Sequence, residues 1–252
     1  MAITITSSKR VASKGGIKIG IHSEGGMGKT MLAATAPKPV IILTERTGVD
    51  CLSPENIEKV FKGKKGITKD VPVIEAYNSS DFEEAVNYVR ESDEFETVIV
   101  DSVSELSKIR LKEELPNHKN MMQAYGMMAL HIDELLRTMR DDPKNWIFLF
   151  HSEKEDVYDD EGNPSMTRYI PGFEGQKMQN EFKFLIGDIY CIVNEFDEEG
   201  EEVRKLRTRQ GDTAHYAKNR RGRLDELEDM HIGRIFWKLK KKSARKKVRP
   251  KD

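Results

Sequence analysis

The sequence predicts an α/β fold with a mainly parallel central sheet, flanked by helices, and an antiparallel C-terminal extension of the sheet. Up to Phe150, short apolar runs alternate with helix-forming stretches and are joined by short links, the pattern of a parallel sheet with right-handed crossovers. From Ser152 onwards, acidic turns join the strands, as in antiparallel hairpins. The 252 residues are enough for one such domain.

A glycine-rich turn follows the first strand, within the segment 17–30 that reads IKIGIHSEGGMGKT. Isoleucines alternate along the strand, the glycines permit positive φ, and Lys29 and Thr30 open a helix. Backbone N–H groups at such a turn bind phosphate oxygens, because they are otherwise unpaired and the helix dipole favours negative charge. The segment departs from the pattern G-x-x-x-x-G-K-[ST] at Ser23, where the first glycine is expected.

The turn is therefore predicted to be the phosphate loop of a nucleotide site. Lys29 would reach the β and γ phosphates, and the Thr30 hydroxyl would ligate magnesium. The alternative is a plain glycine-rich turn between a strand and a helix. The predicted nucleotide-binding residues are Ser23, Glu24, Gly25, Gly26, Met27, Gly28, Lys29, Thr30 and Met31.

Prolines, caps and apolar runs delimit the later elements. Pro37 ends the first helix, Pro54 stands at the first position of the next, and Pro116 ends another. Ser80 and Glu83 form a capping box that predicts a further helix start. The predicted strands are 17–21, 40–43, 71–76, 97–100, 146–150, 154–158, 166–170, 188–196 and 203–209, and the predicted helices are 31–36, 54–63, 81–92, 103–115, 119–140 and 176–185.

Three side chains with catalytic chemistry are predicted to meet at the carboxyl ends of the parallel strands, where ligands bind in such sheets. Asp101 ends an apolar strand and is predicted to hold magnesium together with Thr30. Glu45 follows the strand 40–43 and is predicted to orient or deprotonate an attacking water molecule. His151 ends the strand 146–150 and is predicted to sense the γ-phosphate or that water.

Structural roles remain open for these side chains and for one further motif. Glu45 could pair with Arg46, His151 could be a core histidine, and many strands end in Asp. Five methionines in the helix 119–140 could form an adaptable binding face, although their helical spacing favours core packing.

Composition and charge limit the classes of protein to which this chain can belong. Charged residues make up 34% of the chain but nearly cancel to a net charge of -1, so nucleic-acid affinity would need local basic patches such as 204–209 and 218–223. Cys51 and Cys191 match no metal-ligand spacing and indicate reduced thiols. Because no signal peptide or membrane span is evident, we expect a soluble cytoplasmic protein that does not bind membranes.

The domain organisation is predicted from the same composition. Residues 1–15 are a flexible lead-in, residues 16–237 form the core domain, and residues 238–252 form a basic tail. The tail could be a solvated terminus, or it could attract nucleic-acid phosphates by counterion release.

Six short motifs follow one another over most of the chain. They are 25–30 (GGMGKT), 40–45 (VIILTE), 100–102 (VDS), 125–126 (YG), 150–153 (FHSE) and 217–220 (AKNR). Their shared order resembles that of the RecA-like core ATPases encoded by bacteriophages, in particular the Sak-type single-strand annealing recombinases. The resemblance spans roughly residues 15 to 225.

This resemblance implies a RecA-like P-loop NTPase fold and an ATPase, using ATP and Mg²⁺, that assembles as a homo-oligomeric ring or filament with nucleotide at the subunit interface. It implies that single-stranded DNA is held by loops at about 153–169 and 172–183, and that Lys218, with Arg220, reaches the nucleotide of the neighbouring subunit. The loop 153–169 departs from the expected pattern because it is acidic, which weakens the implied DNA contact.

The leading hypothesis is a magnesium-dependent ATPase that binds single-stranded DNA and promotes annealing or strand pairing in phage DNA recombination or replication. One alternative is a nucleotide-gated DNA-binding and annealing module with little hydrolysis. Another is a P-loop small-molecule kinase, which the absence of an evident arginine-rich lid disfavours. A single-strand-binding protein is an expected further partner from the family context alone.

Overall fold

A ten-stranded sheet forms the centre of this computed structural model, which describes residues 15–211 and 213–241. The strands are β1 (Lys18–Ser23), β2 (Pro39–Leu43), β3 (Val73–Glu75), β4 (Thr97–Asp101), β5 (Asn145–Tyr158), β6 (Pro164–Pro171), β7 (Asp188–Phe196), β8 (Glu202–Arg207), β9 (Lys218–Asn219) and β10 (Leu227–Asp229). They follow the spatial order β10-β8-β7-β1-β5-β4-β2-β3, with β6 paired to β5 and β9 paired to β7.

Helices cover both faces of this sheet. The α-helices are α1 (Pro54–Val60), α2 (Ser79–Glu91), α3 (Val103–Glu114), α4 (Met121–Asp141), α5 (Gln176–Leu185) and α6 (Ile232–Lys240), and the 3-10 helices are Thr30–Thr35, Val49–Leu52 and Leu115–Asn117. None of the helices within the described ranges has both the length and the apolar character needed to cross a membrane.

The sheet is parallel at its centre and antiparallel towards the C-terminus. The pairs β1–β5, β1–β7, β4–β5, β2–β4 and β2–β3 are parallel. The pairs β7–β8, β8–β10, β7–β9 and β5–β6 are antiparallel. The predicted fold class, a mainly parallel sheet with an antiparallel extension, is confirmed.

Each face of the sheet carries its own hydrophobic core, because side chains alternate along each strand. On one face, Trp146, Phe148 and Phe150 of β5 pack against α2, α3, α4 and α5. On the other face, Ile19 and Ile21 of β1 pack against the 3-10 helix Thr30–Thr35, α1 and α6. The phosphate loop and its helix therefore belong to the second face.

The structure corrects several local predictions. The strand predicted at 146–150 continues as β5 to Tyr158, so His151 lies within a strand; its parallel pairing with β1 nevertheless ends at the pair Ser23–His151. The first helix is a short 3-10 helix of six residues, about two turns, and Pro37 follows it closely. Asn78 caps α2 by accepting a hydrogen bond from Asp81, so the predicted capping box at Ser80 lies inside the helix.

The methionines of α4 divide between the core and the surface. Met128 and Met139 are buried in the core, whereas Met121, Met122 and Met127 are exposed.

The predicted terminal segments fall mostly outside the described residues. Only Gly15 of the lead-in 1–15 is described, and the basic tail is described only as far as Lys241. Helix α6 runs across the predicted boundary at residues 237–238, and its Leu239 is buried.

Candidate nucleotide site

The glycine-rich turn after β1 folds back on itself and holds the lysine of the motif. Gly26 and Gly28 have φ values of 75° and 90°, a left-handed conformation that other residues adopt only with strain. Lys29 Nζ donates hydrogen bonds to the carbonyl oxygens of Ser23 and Glu24, each at 2.9 Å. Burial lowers the pKa of Lys29, and the nearby carboxylates of Asp101 and Glu45 partly oppose that shift.

The two predicted magnesium ligands contact one another directly. Thr30 Oγ1 donates a hydrogen bond to Asp101 Oδ2 at 2.6 Å. Asp101 is the last residue of β4 and is buried, which raises its pKa. The strand and the phosphate loop thus place a hydroxyl and a carboxylate at one point.

Glu45 and His151 form a second polar pair at the same edge of the sheet. Glu45 Oε1 lies 2.7 Å from His151 Nε2 and accepts a hydrogen bond from Ser102 Oγ at 2.5 Å. The hydrogen bond with His151 is the main cause that lowers the pKa of Glu45. Arg46 does not pair with Glu45, because its guanidinium lies over the Tyr77 ring, 4.9 Å from the centroid.

His151 is not a core histidine, because 41% of its side chain is exposed. The buried histidine of this region is His22 on β1, which contacts Ser152 Oγ and the carbonyl oxygen of Tyr216. Burial lowers the pKa of His22 to about 4, so this ring is neutral at pH 7.

These groups lie around one cavity of about 770 Å³. Lys29, Thr30, Glu45, Asp101 and His151 all line it, together with the loop from Gly25 to Met31. Its remaining wall includes apolar side chains that suit the base of a nucleotide. These are Leu32, Val60, Phe61 and Met230.

Two predicted loop residues lie elsewhere. Ser23 and Glu24 line a neighbouring cavity of about 560 Å³, on the side of the loop that faces β7. Their carbonyl groups hold Lys29, so they position this lysine from behind the nucleotide cavity. A serine at the first loop position is compatible with this role, because the backbone carbonyl supplies the contact.

Sequence reasoning missed Arg204, which the fold brings to the phosphate loop. Arg204 Nη1 lies 3.4 Å from the position that a Cβ atom on Gly28 would occupy, and the residue lines the nucleotide cavity. Lys205 and Arg207 of the same strand pair with carboxylates. Among the described residues, Arg204 forms no salt bridge. Leu206 is buried on the loop-side face, and alternation along β8 places Arg204 on that same face.

Lys218 lies apart from this cavity. It pairs with Ile189 near the amino end of β7, and its Nζ donates to the carbonyl oxygens of Lys183 and Ile186 at the end of α5. The Arg220 backbone N–H donates to Asp188 Oδ1 at 2.8 Å. Within one subunit, the Lys218 side chain and the Arg220 backbone are thus engaged away from the phosphate loop, and a contact with a neighbouring subunit stays a prediction.

The two segments that the resemblance assigns to DNA form different structures. Residues 153–169 are largely a β5–β6 hairpin with six acidic and two basic side chains. Residues 172–183 lead into α5, whose Lys177 and Lys183 are basic. The backbone N–H of Gly172 donates to the His151 carbonyl oxygen at 2.7 Å, which ties the second segment to the cavity.

The donor set at Thr30 and Asp101 fits magnesium. This ion prefers oxygen ligands and is commonly held by one or two protein groups together with substrate phosphates. A hydroxyl and a buried carboxylate provide such a pair beside the phosphate loop. Within residues 15–211 and 213–241, no three His, Cys, Asp or Glu side chains gather as an independent metal site.

Comparison with known proteins agrees with this geometry. The chain matches a family described as an AAA domain over residues 15–221, most of its length. No curated protein matches the chain significantly. The matched segment contains the phosphate loop, Glu45, Asp101 and His151. The chain therefore belongs to this AAA domain family and is a P-loop NTPase.

Proposed function

We propose that this protein is a magnesium-dependent ATPase that binds single-stranded DNA and promotes annealing or strand pairing in phage DNA recombination or replication. The proposal rests on one observation above all. The Glu45–His151 pair lines the same cavity as Lys29, Thr30 and Asp101, and the His151 backbone is bonded to the segment that begins at Gly172.

Each residue of the site has its own proposed role in ATP hydrolysis. The Lys29 ammonium and the loop N–H groups bind the phosphates and stabilise their negative charge. Thr30 and Asp101 would hold magnesium, which would supply Lewis-acid stabilisation of the developing charge. Glu45 accepts a proton from the attacking water, and its low pKa keeps it ionised for that role.

Coupling to DNA is proposed to run through His151. Its side chain contacts Glu45, while its backbone N–H donates to Ser104 Oγ at 3.1 Å. Ser104 Oγ in turn donates to the Gly172 carbonyl oxygen at 2.7 Å, and the Gly172 N–H donates to the His151 carbonyl. A change in the Glu45–His151 contact on nucleotide binding would therefore be transmitted to Gly172 through these hydrogen bonds.

The second candidate is a nucleotide-gated annealing module that hydrolyses little ATP. It is favoured by the engagement of one Glu45 oxygen with both Ser102 and His151. Such a carboxylate could report nucleotide binding without activating water. In that case, Glu45→Gln would leave annealing intact.

Assembly completes the proposal. A homo-oligomeric ring or filament would place Lys218, with Arg220, near the nucleotide of the neighbouring subunit. A cation supplied in this way would stabilise the transferring phosphoryl group and link hydrolysis to assembly.

The test is steady-state ATP hydrolysis with magnesium, measured with and without single-stranded DNA. We expect DNA to stimulate turnover, and we expect Lys29→Ala to abolish both basal and stimulated turnover. Tight ATP binding without turnover in the presence of DNA would favour the gated module. Phosphate transfer to a small molecule instead of water would contradict both candidates.

A further inference from the structure

A cavity of about 640 Å³ lies on the surface beyond the far end of the 3-10 helix Thr30–Thr35. Lys64, Lys65, Arg234 and Trp237 line it, and no Asp or Glu side chain is among its lining residues. Arg234 pairs with Asp229, which lies outside this lining, at 3.2 Å, and both side chains are exposed. Lys64 lines the nucleotide cavity as well, so the two cavities share a wall. This site is therefore a basic surface depression next to the nucleotide site.

Trp237 is the aromatic residue of this depression, and it is 60% exposed on α6. Its neighbours along the helix, Ile235, Phe236 and Leu239, are buried in the core. Lys241 Nζ lies 4.3 Å from the centroid of the indole ring, on one side of it. An exposed indole beside several basic side chains is suited to a flat, negatively charged partner.

The parts of this surface are held firmly in place. The Ile232 N–H donates to Thr35 Oγ1 at 2.9 Å, and a Cβ atom on Gly233 would lie only 3.1 Å from the Thr35 carbonyl oxygen. The loop that carries Lys64 and Lys65 is anchored by the Thr68 N–H, which donates a hydrogen bond to the Ala34 carbonyl oxygen at 2.8 Å. The indole and the lysines thus rest on the helix that follows the phosphate loop.

We propose that this surface binds single-stranded DNA by stacking a base on the indole and pairing phosphates with the cations. We call it the Trp237 face, and it consists of Lys64, Lys65, Arg234, Trp237 and Lys241. The inference deepens the proposed function and rests on its DNA-binding part. It adds a DNA-contact surface outside the two segments implied by the family resemblance, and the segment that begins at Gly172 keeps its proposed part in coupling.

Charge and shape favour a single strand over other partners. Unpaired bases can stack on an exposed aromatic ring, whereas the bases of a duplex are already stacked. The sequence from 238 to 252 contains nine Lys or Arg residues and one Asp, so the chain leaving α6 continues the basic character of the face. The acidic β5–β6 hairpin offers the opposite charge and would repel phosphates.

Tryptophan fluorescence of the full chain tests this proposal directly. The chain has two tryptophans, and Trp146 is fully buried, so a change in emission on adding oligothymidylate reports on Trp237. We expect quenching by the single strand and little quenching by a duplex. Trp237→Ala should weaken binding about tenfold, as measured by anisotropy of a labelled oligothymidylate, because one stacked base is lost.

Charge variants and matched controls complete the experiment. Replacing Lys64 and Lys65 by Ala should weaken binding and flatten its dependence on salt, since fewer counterions are released. Phe196→Ala removes an aromatic side chain that is 78% exposed in acidic surroundings, and it should leave binding unchanged. Thermal unfolding of each variant checks that the fold is retained.

The outcomes separate this inference from the proposed function. Binding of oligothymidylate without a change in Trp237 emission, and with full affinity in Trp237→Ala, would overturn the inference but leave a DNA-binding ATPase. ATP turnover without any binding of oligothymidylate would overturn the inference together with the DNA part of the function. A change in oligomeric state caused by Trp237→Ala, with DNA affinity retained, would identify the face as a contact between subunits and overturn the inference.

Discussion

Glu45 Oε1 and His151 Nε2 lie 2.7 Å apart, and this contact joins a residue that follows β2 to one in the middle of β5. Strand β4 lies between those two strands, and its end supplies Asp101 and then Ser102, which also contacts Glu45. The contacts of Glu45 therefore connect three neighbouring strands above the nucleotide cavity.

Glu45→Gln should lower ATP turnover by about a hundredfold or more, because general-base catalysis contributes about that factor. Binding of ATP should be retained, since the phosphate contacts come from Lys29 and the loop. Turnover and equilibrium binding of a fluorescent ATP analogue measure the two effects. Glu75→Gln, at an exposed position on the edge strand β3, is the control. Full turnover in Glu45→Gln would exclude Glu45 as the base.

His151→Ala should shift the pH dependence of turnover. The hydrogen bond with His151 lowers the pKa of Glu45, so its removal should let that pKa rise. Because Glu45 must be ionised to accept a proton, the acid limb of the rate profile should move to higher pH. A profile of turnover against pH for both proteins measures this shift, and an unmoved acid limb would show that His151 does not act through Glu45.

Thr30→Ala should raise the magnesium concentration needed for half-maximal turnover by at least about tenfold, since one of two ligands is lost. Thr30→Ser keeps the hydroxyl that contacts Asp101 and should behave as the wild type. A magnesium titration of turnover compares the three proteins. An equal magnesium requirement in all of them would place the ion elsewhere.

Arg204→Ala should weaken the binding of both ATP and ADP about tenfold. Its guanidinium lies against Gly28, and a charge-assisted hydrogen bond to a phosphate accounts for a loss of this size. Lys205→Ala is the matched control on the same strand, because Lys205 pairs with Asp229 at 2.7 Å. Calorimetric titration gives both affinities; equal losses in the two variants would point to a general charge effect.

His22 should make the protein less stable in acid. Burial lowers its folded-state pKa to about 4, below the ordinary value of 6.5, so the unfolded chain binds the proton more tightly. Stability from this group is complete above about pH 6.5 and falls as pH decreases towards about 4, by about 3 kcal/mol in total. Urea unfolding across this range should show a shallower loss in His22→Gln. Parallel curves would refute this assignment.

Local patterns predicted the parts of the site that stand in a short motif or at the end of an evident strand. Lys29 and Thr30 belong to one short motif, and Asp101 ends a strand whose apolar run is evident from the sequence. Glu45 and His151 were predicted at the sheet edge, but their direct contact depends on the strand order and register.

Arg204 could not be predicted for the same reason. A basic residue on a strand gives no sign of its neighbours until that strand is known to lie two places from β1. Because Leu206 and Arg204 are two residues apart, they lie on the same face of β8. Only the order of strands in the sheet shows that this face brings Arg204 to the phosphate loop. The predicted α2 cap is wrong because Asn78, Ser79 and Ser80 are all capable capping residues, and the structure uses the first.

The close approach of α6 to the phosphate-loop helix has a consequence for how much of the chain must fold together. The segment shared with the AAA domain family ends at residue 221, yet Ile232, Ile235, Phe236 and Leu239 complete the core that covers Leu32 and Ala33. A fragment ending at residue 221 would retain every catalytic side chain but lose the support behind the phosphate-loop helix. The matched segment is thus shorter than the part of the chain that builds the core around the phosphate-loop helix.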